Sequence, residues 1–308
     1  MRQPSIGVAI LTFQARDHLN RVLPFLLESS LEPRVLVVDS SSTDGTVEEA
    51  LRLGAETLVI QQRDFNHGAT RELARRHLGT DIVVFMTQDA YPIDATMLDK
   101  LTRPLTTESA AVSYARQVPH TGAGIFEAFP RHFNYPSISQ TRSIADVKRY
   151  GAYTFFCSNS CAAYANAALD AVGGFQPTLI WEDQLTVARL LIHGYTIAYV
   201  AEAVVQHSHR YTLSAEFMRY FDTGYVLARN RWFLALVGAM EGRGKEFLST
   251  LLRQLTSTKP VLIPYAVVNT FVKWGGFRVG YHSLNAPTWL KTSLSGQKYY
   301  WTSSHYRD

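Results

Sequence analysis

The chain predicts an α/β fold, a mostly parallel sheet with helices on both faces followed by a helical C-terminal region. Three observations carry that expectation. Apolar runs of strand length alternate with segments of helical spacing up to residue 90. Two of those helical segments stop at a glycine, Gly54 and Gly79, where a C-cap belongs. From Ser214 onward the strand pattern ceases and the chain reads as helical.

The elements follow in order. IGVAILTF (6 to 13) is a continuous apolar run, hence a buried first strand. The N-terminal apolar stretch is too short for a signal segment with a cleavage site. DHLNRVLPFLLES (17 to 29) sets Leu19, Val22, Leu23, Leu26 and Leu27 at helical spacing. Val35 to Val38 form a second strand, and TVEEALRLG (46 to 54) a short helix. TLVIQQ (57 to 62) is a third strand, ATRELARRHLG (69 to 79) a helix, and DIVVFMTQDA (81 to 90) a fourth strand. Alternation of this kind builds βαβ units and a parallel sheet.

Beyond residue 100 the pattern loosens. A fifth strand is expected over Ala110 to Ala115. Residues 119 to 150, with Pro119, Gly122, Gly124, Pro130 and Pro136, read as a long loop-like insert of the kind that contacts a substrate. TFFCSNSCAAYANAALDAVGGF gives a strand, a helix from Asn166 and a Gly-Gly turn. WEDQLTVARLLIHG (181 to 194) is a helix opening with two carboxylates, where the macrodipole favours them. TIAYVAEAVVQHSH gives two short strands ending in His207 and His209. The expected organisation is residues 1–210 as the ligand-binding domain and 211–308 as a basic helical region.

The 308 residues are 46% hydrophobic and 18% charged, which excludes disorder and low complexity. Two cysteines, Cys157 and Cys161, are too few for a disulfide scaffold or a zinc site and suit the reducing cytoplasm. Charge is unevenly spread. Residues 1–210 carry 18 Lys and Arg against 21 Asp and Glu, whereas residues 211–308 carry 12 against 5. VLIPYAVVNTFVKW (261 to 274) is too short and too interrupted to span a bilayer. A basic segment with Trp, Phe and Leu suits an anionic membrane surface, and equally a packed helical subdomain with solvated lysines. With an acidic first domain and no reading motif, nucleic acid is not an expected partner.

In a doubly wound sheet, ligands bind beyond the carboxyl ends of the strands. Those ends carry Thr12-Phe13, Asp39-Ser40-Ser41 and Asp89. VVDSSSTDGT (37 to 46) can accept hydrogen bonds from a base and ribose, or form an Asx turn with Asp44 opening the next helix. FNHGATRELA (65 to 74) puts His67-Gly68 before a helix bearing Arg71. That is a phosphate-binding start, or simply a capping or core histidine. In MTQDA, Asp89 is a metal candidate once a distant ligand such as His207 joins it, since a nucleotide diphosphate supplies most remaining positions. In WED, a cleft carboxylate can accept a proton from an attacking hydroxyl; the plainer role is two helix-start acids.

Taken together, the strand ending in Thr12-Phe13, VVDSSSTDGT, TQDA, GGF-x5-WED and VVQHSH resemble the inverting GT-A glycosyltransferases of family two, over roughly residues 5 to 210. FNHGATRELA, TQDA, VVQHSHRYTL and YVLARNRWF look most like bacterial rhamnosyltransferases, which use dTDP-L-rhamnose and build cell-surface polysaccharides such as O-antigen on lipid-linked acceptors. The resemblance implies a Rossmann-like GT-A domain. It implies that Thr12, Phe13, Asp39, Ser41 and Asp44 surround the nucleoside, with His67, Gly68, Arg71 and Gln88 around the rest of the donor. It implies Mg²⁺ or Mn²⁺ on Asp89, with His207 or its rival His209 as second ligand, and Asp183 as general base beside Glu182. The departure is Thr87 where many relatives carry the first Asp of Asp-x-Asp, which leaves one carboxylate for the metal. A peripheral position on the inner membrane face would follow from the lipid-linked acceptor.

Two other classes fit the pattern less well. A nucleotidyltransferase would carry a glycine-rich basic loop after the first strand, but Gln14-Ala15-Arg16-Asp17 stands there. A noncatalytic sugar-nucleotide-binding membrane scaffold would have no use for Asp183, Asp89 and His207. A UDP-sugar is the alternative donor.

Overall fold

The computed structural model describes residues 3–238 and 241–306. Seven elements open the chain: β1 (Ile6–Thr12), α1 (Arg16–Leu27), β2 (Arg34–Asp39), α2 (Thr46–Leu53), β3 (Glu56–Val59), α3 (His67–Leu78) and β4 (Ile82–Thr87). Every residue of β1 is buried, as are the last five of β2, so this part of the sheet is covered on both faces. β1 pairs in parallel with both β2 and β4, and β2 with β3. Gly54 and Gly79 end α2 and α3 in the left-handed region, at φ 98° and 59°.

The next ten are β5 (Tyr91–Pro92), α4 (Met97–Thr106), β6 (Val112–Val118), α5 (Ile125–Asn134), β7 (Gln140–Arg142), α6 (Val147–Tyr150), β8 (Cys161–Ala165), α7 (Asn166–Ala171), α8 (Glu182–Ile192) and β9 (Ile197–Gln206). They extend the sheet in the order β3-β2-β1-β4-β8-β6-β9-β5, with β7 on β9. β8 runs antiparallel between β4 and β6, β6 and β9 are parallel, and β5 and β7 are antiparallel to β9. The sheet is therefore parallel in its first half and mixed in its second.

Two expectations change here. Residues 119–150 are not loop-like: they contain α5, β7, α6 and a capping box between Ser143 and Asp146. Pro130 sits inside α5 and removes a helix hydrogen bond, yet Phe129 and Phe133 pack edge-on to Phe247, at 4.9 and 5.1 Å between ring centres. The apolar face outweighs the breaker. The strand and the helix from Asn166 expected in TFFCSNSCAAYANAALDAVGGF are β8 and α7, preceded by a 3-10 turn over residues 151–155. The VVQHSH region is one strand, β9, whose register against β6 shifts between Ala115 and Arg116; it is a bulge, not a break into two strands.

The rest is helical: α9 (Leu213–Arg229), α10 (Arg231–Val237), α11 (Glu241–Thr258), α12 (Ile263–Tyr281), α13 (Thr288–Leu294) and a 3-10 turn over Lys298–Thr302. The change at residue 210 marks a change of secondary structure but not of packing. Phe221, Tyr225 and Leu227 of α9, Phe233 of α10 and Trp301 join the same core as Phe85, Tyr164 and Phe175. The opposite face of the sheet packs on α1 and α4.

Candidate active site

The turns after β1 and β2 hold each other. Thr12 Oγ1 donates to Asp39 Oδ1 at 3.0 Å, and the Ser42 amide and hydroxyl donate to the same carboxylate at 2.7 and 2.6 Å. Asp39 has no exposed surface. Asp44 accepts from the amides of Thr46 and Arg16, tying the two turns together. Ser41 is left-handed, at φ 58°, and its hydroxyl donates to the Ile60 carbonyl. Phe13 is exposed at the sheet edge. Gln88 accepts from the Phe13 amide at 2.8 Å and donates to its carbonyl at 3.2 Å. Its side-chain amide thus adds one more step to the β1–β4 ladder.

The start of α3 differs from the phosphate-binding expectation. Asn66 caps the helix, accepting from the amides of Gly68 and Ala69 at 3.1 and 3.0 Å. Its own amide donates to the Thr178 carbonyl. A Cβ at Gly68 would lie 1.9 Å from the Gln176 carbonyl oxygen, so glycine is required by a crossing loop. Arg71 donates to the His67 carbonyl at 2.9 Å and pairs with Glu182 at 3.1 Å. The two charged side chains are only 4% and 7% exposed. Burial lowers the His67 pKa, and its Nε2 has no hydrogen-bond partner among the described residues. His67 and Arg71 therefore gather around Glu182, with the Gly68 and Ala69 amides already taken.

Trp181 opens α8 in a left-handed conformation, φ 71°, a strained position for so large a residue. Its ring meets Phe233 edge-on at 5.9 Å. The turn gives the two following carboxylates different surroundings. Glu182 is buried, but Arg71 and the Asn159 side-chain amide, at 3.0 Å, outweigh burial and hold its pKa below the ordinary value. Asp183 is half-buried and accepts from the amides of Gln184 at 2.7 Å and Asn159 at 3.4 Å. Burial, and then the charge of Glu182, push its pKa up to about 7. One carboxylate is fixed and charged; the other is poised near neutrality, as a general base requires. Asn159 touches both, and Tyr164 orients it, donating to its side-chain carbonyl at 2.8 Å.

The third group gathers at the ends of β4 and β9. Asp89 Oδ1 lies 3.4 Å from His207 Nε2, and Oδ2 lies 3.4 Å from His209 Nε2. One ligand atom from each residue lies within 4.8 Å of the others. Gln117 donates its amide to Ser158 at 2.9 Å, which turns its carbonyl toward His207 Nδ1, also at 2.9 Å. That contact holds the ring with Nε2 turned toward Asp89. Burial and then His207 push His209 down to about 4, which leaves it neutral. Burial opposes ionisation of Asp89, but the two histidines lower its pKa below the usual carboxylate range. A carboxylate and two imidazole nitrogens converging in this way fit a divalent cation such as Mn²⁺. The Thr87 amide donates to the Ser160 carbonyl at 3.3 Å, so this cluster and the Asn159–Asp183 corner flank the same end of β4.

Asn159, Tyr164 and Gln117 were not singled out in the sequence. Asn159 and Gln117 act through hydrogen bonds to residues distant in the chain, and Tyr164 acts through Asn159, which residue spacing does not reveal. SNSC, at the entry to β8, is the only local sign.

The family model for glycosyl transferase family 2 matches residues 7–173, just over half of the chain. This chain belongs to that family. Along its length the glycosyltransferase is 36% identical to the O-antigen chain rhamnosyltransferase RfbN of Salmonella typhimurium, over 98% of this chain and 97% of the relative. It is 37% identical to the O-antigen chain rhamnosyltransferase WbaN of Salmonella anatum, over 92% and 90%. Among solved structures it resembles the mannosyltransferase PcManGT of Pyrobaculum calidifontis, in complex with GDP-Man and Mn²⁺. The TM-score is 0.57 at 16% identity, over 96% of this chain and 79% of that one. Glucosyl-3-phosphoglycerate synthase of Mycobacterium tuberculosis, with Mn²⁺ and UDP bound, gives 0.54 at 20%, over 76% and 80%. These likenesses show the GT-A fold.

Proposed function

We propose that this glycosyltransferase moves L-rhamnose from dTDP-L-rhamnose to a hydroxyl of a lipid-linked glycan, with inversion, during O-antigen-type polysaccharide synthesis at the inner face of the cytoplasmic membrane. The observation that carries the chemistry is the division between a fixed, charged Glu182 and an Asp183 poised at about 7. Full-length similarity to two rhamnosyltransferases supports the sugar. Asp183 accepts the proton of the acceptor hydroxyl, whose oxygen forms a bond to the anomeric carbon. The bond from that carbon to the diphosphate breaks, and the electron pair leaves with the diphosphate. Mg²⁺ or Mn²⁺ held by Asp89, His207 and His209 would offset the charge growing on that leaving group. The nucleoside would lie along Phe13 and the Ser41–Asp44 turn, with Asp39 holding Thr12 and Ser42 in place behind it.

Asp183→Asn tests the reading. Donor binding, followed by thermal shift with dTDP-L-rhamnose, UDP-sugars and GDP-mannose in turn, should persist for dTDP-L-rhamnose alone. Transfer should fall about 10²–10⁴-fold. Turnover near that of the unmodified enzyme would sink the assignment, and stabilisation by a UDP-sugar alone would overturn the donor. In the unmodified enzyme, kcat/KM should rise with pH through about 7 and then level, as Asp183 loses its proton.

A further inference from the structure

Helix α12 is packed inside out. Its buried residues are Ala266, Asn269, Gly276 and Gly280. A Cβ on Gly280 would lie 1.9 Å from the Phe221 carbonyl oxygen, and one on Gly276 2.4 Å from that of Phe217. On the facing helix, a Cβ on Gly224 would lie 2.2 Å from the Phe277 carbonyl oxygen. α9 and α12 therefore touch backbone to backbone, and nothing large fits between them. The large apolar residues point the other way. Phe271 is 68% exposed and Trp274 61%, with Val267, Val268 and Val279 also in the open. At helical spacing Pro264, Val268, Phe271, Gly275 and Val279 share one stripe, opposite the glycines. An exposed apolar stripe of this kind marks an interaction surface.

Charge indicates what covers it. Residues 243 to 298 hold eight Lys and Arg and one acid, Glu246, and residues 247 to 306 contain no Asp or Glu. Arg253, Lys259, Arg278 and Lys298 are exposed. A second copy docked face to face would bring like charges together with only Glu246 to answer them. An anionic lipid surface answers them directly. No helix among the described residues is long and apolar enough to cross a membrane, which leaves an in-plane seat. Trp274, and Trp289 at 71% exposure on α13, are side chains that settle at headgroup depth.

We propose that the outward face of α12 seats in the headgroup–acyl boundary of an anionic bilayer, with the surrounding lysines and arginines on its phosphates. The full chain with Phe271→Ser and Trp274→Ser tests this. In co-sedimentation the unmodified protein should bind vesicles of mixed phosphatidylglycerol and phosphatidylcholine, bind phosphatidylcholine alone more weakly, and lose affinity as salt rises. The double variant should partition at least about tenfold less, since two large side chains leave the acyl boundary. Its melting temperature and its transfer to a soluble acceptor should not change, because neither side chain packs inside. Lys259→Glu with Arg278→Glu should weaken binding to the anionic vesicles only. Equal partitioning of the Ser variant, no binding by the unmodified protein, or a dimer that the Ser variant dissolves would each overturn the proposal. No sugar donor or glycan enters the vesicle assay, so its failure is distinct from failure of the rhamnosyl-transfer reading.

Discussion

Two sets of polar residues stand at the same sheet edge and are used differently. Around the turns after β1 and β2, Thr12, Asp39, Ser42, Asp44 and Thr46 largely satisfy one another. At the ends of β4 and β9 and the start of α8, side chains are held from behind and left open in front. Gln117 fixes one nitrogen of His207 and frees the other. Asn159 anchors Glu182 and leaves Asp183 poised. A strand-end motif marks a place in the fold. Whether its side chains act depends on how much of their hydrogen-bonding capacity the protein itself consumes.

The largest effect that would sharpen this contrast is at Asp89. Asp89→Ala removes the only carboxylate of the His207–His209 cluster. Loss of an outer-shell partner alone costs about 10–100-fold in metal affinity or activity, so losing this ligand should cost transfer at least about 100-fold. It should also abolish any thermal stabilisation by Mn²⁺. Activity of the unmodified enzyme that ignores both Mn²⁺ and a chelator would break the contrast, leaving the cluster as structure.

Arg71 is the sharper test, because sequence and structure disagree about it. As a phosphate ligand, it would lower donor affinity when replaced and leave the fold intact. As the partner of buried Glu182, its replacement by Met should destabilise the protein by about 3–5 kcal/mol, because an uncompensated charge stays inside. Chemical denaturation of Arg71→Met separates the two. Unchanged stability with a raised KM for the donor would return Arg71 to the nucleotide.

The same disagreement shows what the sequence can reveal. β1, β2 and β4 are continuous apolar runs buried on both faces, so their identity is local and readable. α5 hides behind Pro130 and three prolines or glycines nearby, because its stability comes from Phe247 and Tyr265 far along the chain. Asp89, Asp183, His207 and His209 are legible as the polar ends of apolar or helical segments. The pairing of Arg71 with Glu182 is not, since both lie in motifs with ready local explanations. Gly68 is legible as a required glycine but not for the right reason. The strand-to-helix turn suggests a ligand's approach, whereas the space is filled by Gln176.

The smallest effect is at Gln88, and it bears most directly on the boundary between the two sets. Its amide spans the backbone of Phe13, accepting at one end and donating at the other. Removing two partly exposed hydrogen bonds by Gln88→Ala should cost about 1–2 kcal/mol in all. If the amide only extends the ladder, KM for the donor stays level while the melting temperature falls. The exposed ring of Phe13 complicates this, since loosening its backbone could disturb a nucleoside lying on it. Gln88→Glu separates the effects: the carboxylate can still accept from the Phe13 amide but can no longer donate to the carbonyl. A fall in stability with unchanged donor affinity in both variants puts Gln88 with the residues that build the edge. A change in donor affinity without one in stability puts it with Asp89, among those that face the sugar.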